Sequence, residues 1–193
     1  MPKNGAIFFV PIVNFCQNNC LFGENLSIPL AMSFPLGLKR ACCMVILRHQ
    51  QHFLLLKRIK PPYVGSYLPV GGKLEPFEDP RTAAHRELKE ETGLEVEKLK
   101  YGGSLMESSP IDYNWQCNIY IADIDFIAPP PCPEGDLEWI AFADVPNVPT
   151  PPTDFTVYQY LMEEKPFAFN AVYDAEMNLL FMDEELAGVR ILG

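Results

Sequence analysis

The sequence predicts an α/β fold, a mixed β-sheet covered by helices, and three observations carry that expectation. The chain has 193 residues, of which 48% are hydrophobic and 12% aromatic, enough for one packed core and too apolar for a disordered chain. Short β-capable runs alternate with two helical segments in the order β-β-β-α-β-β-β-α-β-β. Between the third strand and the first helix stands Gly71-Gly72, a pair lacking side chains that lets backbone approach closely.

Residues 1–38 mix Asn, Pro and Gly with short apolar pieces and keep no period of 2 or 3.6, so they read as an N-terminal extension to a domain over 39–193. Met32 offers an alternative start close to the first strand. Residues 41–48 and 53–58 are apolar and β-capable, with the polar 49–52 segment between them as a hairpin turn. A loop marked by Pro61, Pro62 and Gly65 precedes a strand at 67–70. The first helix is expected over 80–92: Asp79 can cap its free N–H groups, Pro80 suits the first helical position, and Gly93 can end it. Strands follow at 96–106, 115–126 and 137–142, then a helix at 154–164 and strands at 167–173 and 179–183.

The formal net charge of -10 argues against a nucleic-acid polymer as partner, because phosphate backbones are held by Lys and Arg clusters. Of the fifteen Lys and Arg residues only Lys3, Lys165 and Arg190 fall outside 39–100, which concentrates positive charge around the first helix and suits a small anionic substrate. The apolar stretch at 6–13 is broken by Pro11 and too short to span a bilayer. No small-x-small cleavage site follows it, so a cytoplasmic chain is expected, with no membrane partner and as a monomer or homodimer. The six cysteines include the adjacent Cys42 and Cys43 and read as reduced thiols, with Cys117 and Cys132 as small apolar residues.

The chemistry is concentrated in Gly71–Leu94. On a helix Glu87, Glu90 and Glu91 stand at i, i+3 and i+4 and share one face. Like charges so spaced repel, and the apolar stripe of Ala83, Ala84 and Leu88 is thin, so a solvated acidic face explains the segment less well than a cation does. Oxygen-only ligands of this kind suit Mg²⁺ or Mn²⁺, which are commonly shared with substrate phosphates.

Gly72-x5-Glu78-x7-Arg86-Glu87-Leu88-x-Glu90-Glu91-x-Gly93-Leu94 resembles the Nudix box at every defining position. That resemblance implies an α/β/α sandwich and metal-dependent attack of water on a nucleoside diphosphate linked to another group. It implies metal ligation by Glu87, Glu90, Glu91 and the Gly71 carbonyl, with Glu78 and Arg86 orienting them and Glu87 as the expected general base. A further carboxylate from a later loop is expected at Glu134, with Asp136 second. Phe77 departs from the pattern, where many boxes carry Gly.

Leu137-Glu138-Trp139, Pro149-Thr150, Asp154, Glu164-Lys165-Pro166-Phe167 and Val172-Tyr173-Asp174 are similar to the MutT-type branch, which hydrolyses 8-oxo-dGTP to the monophosphate and pyrophosphate. This likeness implies a substrate pocket that includes Leu68, Lys73, Pro151 and Asp154, with Asp154 at the base-reading end or capping the second helix. Leu68 and Pro151 replace an Asn and a Trp of mammalian-type members; Tyr67, Phe155 and Trp115 are alternative stacking surfaces. Pro110 weakly resembles a proline that accompanies ADP-ribose specificity, which makes an ADP-ribose or nucleoside diphosphate sugar pyrophosphatase the second reading. A non-catalytic nucleotide sensor is the third, and the intact box carboxylates weigh against it.

Overall fold

A computed structural model describes the protein over residues 37–193. The expected N-terminal extension, apart from its last two residues, and the alternative start at Met32 lie outside these residues. Ten strands and two α-helices follow in the order β1 (Arg40–His49), β2 (His52–Arg58), β3 (Tyr67–Leu68), β4 (Val70–Lys73), α1 (Pro80–Thr92), β5 (Lys100–Ser108), β6 (Trp115–Asp123), β7 (Gly135–Ala141), α2 (Asp154–Met162), β8 (Phe167–Tyr173), β9 (Leu179–Glu184) and β10 (Val189–Leu192), with a 3-10 turn at Val145–Asn147 before α2. The sheet order is β10-β9-β8-β5-β6-β1-β2-β3, with β4 pairing β1 and β7 pairing β2. It is mixed: β1 runs parallel to β6 and β5 parallel to β8, while the remaining pairs are antiparallel.

The two helices cover opposite faces, as the period-2 alternation of β1 shows. Cys42 and Ile46 belong to the core that takes Val157, Tyr158 and Leu161 of α2. Cys43, Val45 and Leu47 belong to the core that takes Ala83, Ala84 and Leu88 of α1. An α/β/α sandwich results. Full burial of a side chain such as Leu88 contributes roughly 1.5–3 kcal/mol.

Several sequence expectations shift. The strand expected at 67–70 is divided at Pro69, which has no N–H to donate, so that β3 pairs β2 and β4 pairs β1. The strand expected at 96–106 begins only at Lys100 and runs to Ser108, because the apolar Val96 and Leu99 pack against the α1 face as a loop. The edge strand β10 was not expected; its residues are mostly exposed and carry little alternation. The reduced-thiol expectation fails for one pair. Parallel register sets Cys42 directly opposite Cys117, with Cα atoms 4.6 Å apart, and the two form a disulfide. Cys43 and Cys132 are free.

Candidate active site

Helix α1 is positioned by its own sequence. Asp79 accepts from the N–H groups of Arg81 and Thr82, Pro80 stands in the first turn, and Gly93 ends the helix at φ 71° with its N–H on the Lys89 carbonyl. Its apolar stripe is short, and polar contacts supply the remaining anchorage. Arg81 reaches the Leu99 carbonyl at 2.6 Å, and the Gly71 N–H donates to Glu91 Oε2 at 3.0 Å. Gly71 is at φ 145°, where a Cβ would meet the Cys43 carbonyl oxygen. At Gly72 a Cβ would enter the space held by the Glu87 carboxylate. The glycine pair therefore brings the β4 backbone against two carboxylates of α1.

Arg86 is the hub of the helix. Its Nε and Nη2 donate to the two oxygens of Glu78 at 2.9 Å each, a bidentate pair. Its Nη1 donates to Glu87 Oε1 at 2.8 Å and Glu90 Oε2 at 3.2 Å, and Nη2 also reaches the Lys73 carbonyl. Hydrogen bonds from Arg86 hold the Glu78 carboxyl below its ordinary range, helped by the Glu75 N–H. Burial pushes the Glu91 carboxyl up to about 7 from the ordinary 4.5, with the charges of Glu87 and Glu134 adding to the rise against the Gly71 N–H. Phe77, the departure from the box, has φ 68° and a ring fully in solvent, so a left-handed backbone is the physical reason for glycine there.

The expected metal ligands are partly gathered. Glu87 and Glu91 meet at the Gly71–Gly72 backbone, while Glu90 is turned outward onto Arg86 with 60% of its side chain exposed. Glu134 is engaged by Lys60 at 2.7 Å and Arg58 at 3.3 Å, and these bonds, Lys60 first, keep its carboxyl low. It lies near enough to Glu91 to add to that residue's rise. Asp136, the second candidate, is exposed on β7. Among the described residues no three such groups form a ready-made cluster. The donor set nonetheless fits a hard divalent cation: it is all oxygen, and Glu87 and Glu134 lie near enough to Glu91 for their charges to add to the rise that its burial causes.

A cavity of about 280 Å³ opens beside this face. Its wall includes Arg58, Gly71, Gly72 and Lys73 together with Tyr63, Glu107, Tyr113 and Trp115, and Leu68 and the Cys42–Cys117 pair complete it. Lys73 Nζ lies 5.9 Å from the Trp115 ring centre and the Arg40 guanidinium 5.2 Å. Of the expected substrate residues, Leu68 and Lys73 line this space. Pro151 and Asp154 do not; both are buried, because the turn into α2 folds them inward. Asp154 is not the cap of α2 either: Thr153 holds that position and Asp154 is the first helical residue. Its Oδ2 has no hydrogen-bond partner among the described residues, and total burial, with the charge of Glu107 adding to it, pushes its carboxyl far up. Tyr67 and Phe155 serve the core, and of the three stacking candidates Trp115 alone lines the cavity.

Glu107 was missed, although its signal was present. Along β5 the inward positions are Gly103, Leu105 and Glu107, so a carboxylate occupies an apolar phase of the alternation. Tyr63 and Tyr113 carried no local pattern.

A family model for the NUDIX domain matches residues 37–161, so the chain belongs to that family. It is a Nudix pyrophosphohydrolase. Among solved structures it is similar to a MutT protein from Bacillus halodurans, with TM-score 0.67 and 22% identity over 76% of this chain and 98% of the other. The NUDIX domain of NrtR from Shewanella oneidensis, solved with ADP ribose, gives 0.57 and 19% over 65% and 88%. A C. elegans Ap4A hydrolase gives 0.54 and 18% over 64% and 96%. At these identities the likeness is one of fold.

Proposed function

We propose that this chain hydrolyses a nucleoside diphosphate-linked substrate with Mg²⁺ or Mn²⁺ bound, and that its substrate is an oxidised nucleoside triphosphate such as 8-oxo-dGTP, cleaved to the monophosphate and pyrophosphate. The observation that carries the reading is one cavity whose wall holds both Gly71 and Gly72, against which Glu91 and Glu87 of α1 are packed, and Trp115 and Glu107, so that basic groups for an anionic tail and a surface for a base share one space.

Glu87, Glu91 and Glu134, with Glu90 swung inward and the Gly71 backbone, would hold the cation. When bound, it neutralises charge on phosphate oxygens and makes water more acidic. Arg86 sets the carboxylates by tying Glu78, Glu87 and Glu90 together. It engages Glu87 at Oε1 and leaves Oε2 without a donor among the described residues, free to take the proton of the attacking water. The water oxygen joins phosphorus as the bridging oxygen leaves with its electron pair. Arg58 and Lys73, lining the cavity, meet the anionic tail.

An ADP-ribose or nucleoside diphosphate sugar substrate is the second reading, favoured by Pro110 in the exposed loop that delivers Tyr113 to the cavity. The test is cation-dependent turnover of 8-oxo-dGTP, dGTP, ADP-ribose and UDP-glucose, with pyrophosphate, phosphate and the nucleoside monophosphate each measured separately. Pyrophosphate released from 8-oxo-dGTP in preference to the others supports the reading. Preferential cleavage of ADP-ribose or UDP-glucose moves it to the second, and full activity in Glu91→Gln overturns the site.

A further inference from the structure

Where Glu107 meets the cavity, three hydroxyl groups point their protons at its carboxylate. Tyr173 donates to Glu107 Oε1 at 2.8 Å and Thr153 to the same oxygen at 3.1 Å, while Tyr113 donates to Oε2 at 3.0 Å. Lys39 fixes the strand end beneath by binding the Glu107 carbonyl at 2.6 Å and Asn114 Oδ1 at 3.2 Å. Glu107 is 3% exposed, yet it lines the cavity. A group so nearly buried, so fully oriented and still facing empty space is prepared for a ligand.

The count of lone pairs says what that ligand presents. A carboxylate has about four acceptor sites. Three are filled by the hydroxyls, which leaves one, on Oε2. Tyr113 gives its proton to Glu107, so its own oxygen is an acceptor 3.0 Å from Oε2, with the Tyr63 hydroxyl beside it on the cavity wall. Two neighbouring acceptors therefore stand at the cavity wall, beside the Trp115 ring. Behind them lies Asp154, whose Oδ2 is unpartnered among the described residues; burial raises both carboxyls, and at Glu107 the hydrogen bonds from Tyr173, Tyr113 and Thr153 work against that rise. Asp154 supports the wall from the second layer; it does not reach the ligand space.

We infer that Glu107, together with the Tyr113 hydroxyl oxygen, is the specificity determinant of the cavity and selects a base edge carrying two adjacent N–H donors, a ring N–H beside an exocyclic amine. This rests on the proposed nucleotide reading and deepens it: the base is read from β5 and the loop after it, by acceptors. An edge with only one of these donors leaves a buried acceptor unpaired, which is where discrimination comes from.

Binding without turnover separates this inference from the hydrolytic reading. Calorimetric titration of the wild-type protein with dGMP, dIMP and N1-methyl-dGMP varies the donors on the ligand alone, the second lacking the amine and the third the ring N–H. Preference for dGMP by about ten-fold or more over each is expected. In Glu107→Gln, whose amide can present its NH₂ to the edge, the preference should fall to within about three-fold. Equal binding of the three, no binding of any, or a preference intact in folded Glu107→Gln overturns the inference. If Glu107→Gln does not fold, Tyr113→Phe keeps the ring and removes the second acceptor; an unchanged preference there overturns it equally. Turnover of 8-oxo-dGTP with indifferent binding of the three monophosphates would leave the hydrolytic reading standing and refute this one alone.

Discussion

At the α1 end of the cavity, Glu78, Arg86, Glu87 and Glu91 come from one continuous stretch and are held mostly by one another. At the other end, Glu107 comes from β5, Tyr113 from the loop after it, Thr153 from the start of α2 and Tyr173 from the end of β8. The first end is assembled by helical periodicity, the second by the tertiary fold. Substitutions at the first should therefore damage chemistry while leaving the fold intact, and substitutions at the second should change selectivity and stability together.

The largest effect that could break this contrast is loss of turnover in Glu91→Gln. A cut of about 100-fold or more in kcat, with the melting temperature kept within a few degrees, is expected from loss of a cation ligand. Loss of folded structure instead would show that the α1 carboxylates serve stability as the far end does. Next comes Arg86→Lys, which keeps the charge but loses the bidentate grip on Glu78; steady-state rates should fall about 10–100-fold, with part of the loss restored by higher Mg²⁺.

Glu91 also sets a pH dependence. Its folded value near 7 lies above the ordinary 4.5, so the folded chain binds this proton more tightly than the unfolded chain does. Its contribution to stability is complete below about 4.5 and is lost as pH rises through about 7. Metal-free thermal melts should show wild type losing ground to Glu91→Gln across that window, and added Mg²⁺ should stabilise wild type more at pH 8 than at pH 6. The carboxyls of Glu78 and Glu134 are shifted down, so their contributions are lost on acidification below the ordinary range, a separate window.

Smaller effects sharpen the local picture. Asp79→Ala removes a side-chain cap from α1 and should cost about 1 kcal/mol in chemical denaturation. Phe77→Gly relieves a left-handed backbone and should stabilise by about 1 kcal/mol in the same measurement, with activity unchanged.

The same contrast explains what the sequence made legible. The caps at Asp79 and Gly93, the shared face of Glu87 and Glu91, and the Gly71-Gly72 approach are local or nearly so, and spacing suffices to see them. The placement of Asp154 could not be read that way. A helix-start carboxylate looks like a cap or a ligand until the turn around it is known, and here that turn buries it. Nor could the union of Cys42 with Cys117, which depends on the register of two parallel strands 75 residues apart in the chain. Strand β10 escaped because an exposed edge imposes no alternation on its residues.

Strand β1 carries a consequence of its own. Its even-numbered residues from Cys42 to Ile46 pack with the α2 core, Cys42 and Met44 also lining the cavity, and its odd-numbered residues from Cys43 to Leu47 support the helix of the box. Parity along one strand thus partitions two inheritances. A lineage can exchange substrates through alternate positions and leave their neighbours, and with them the hydrolytic apparatus, untouched. A single-residue insertion in β1 would scramble both at once.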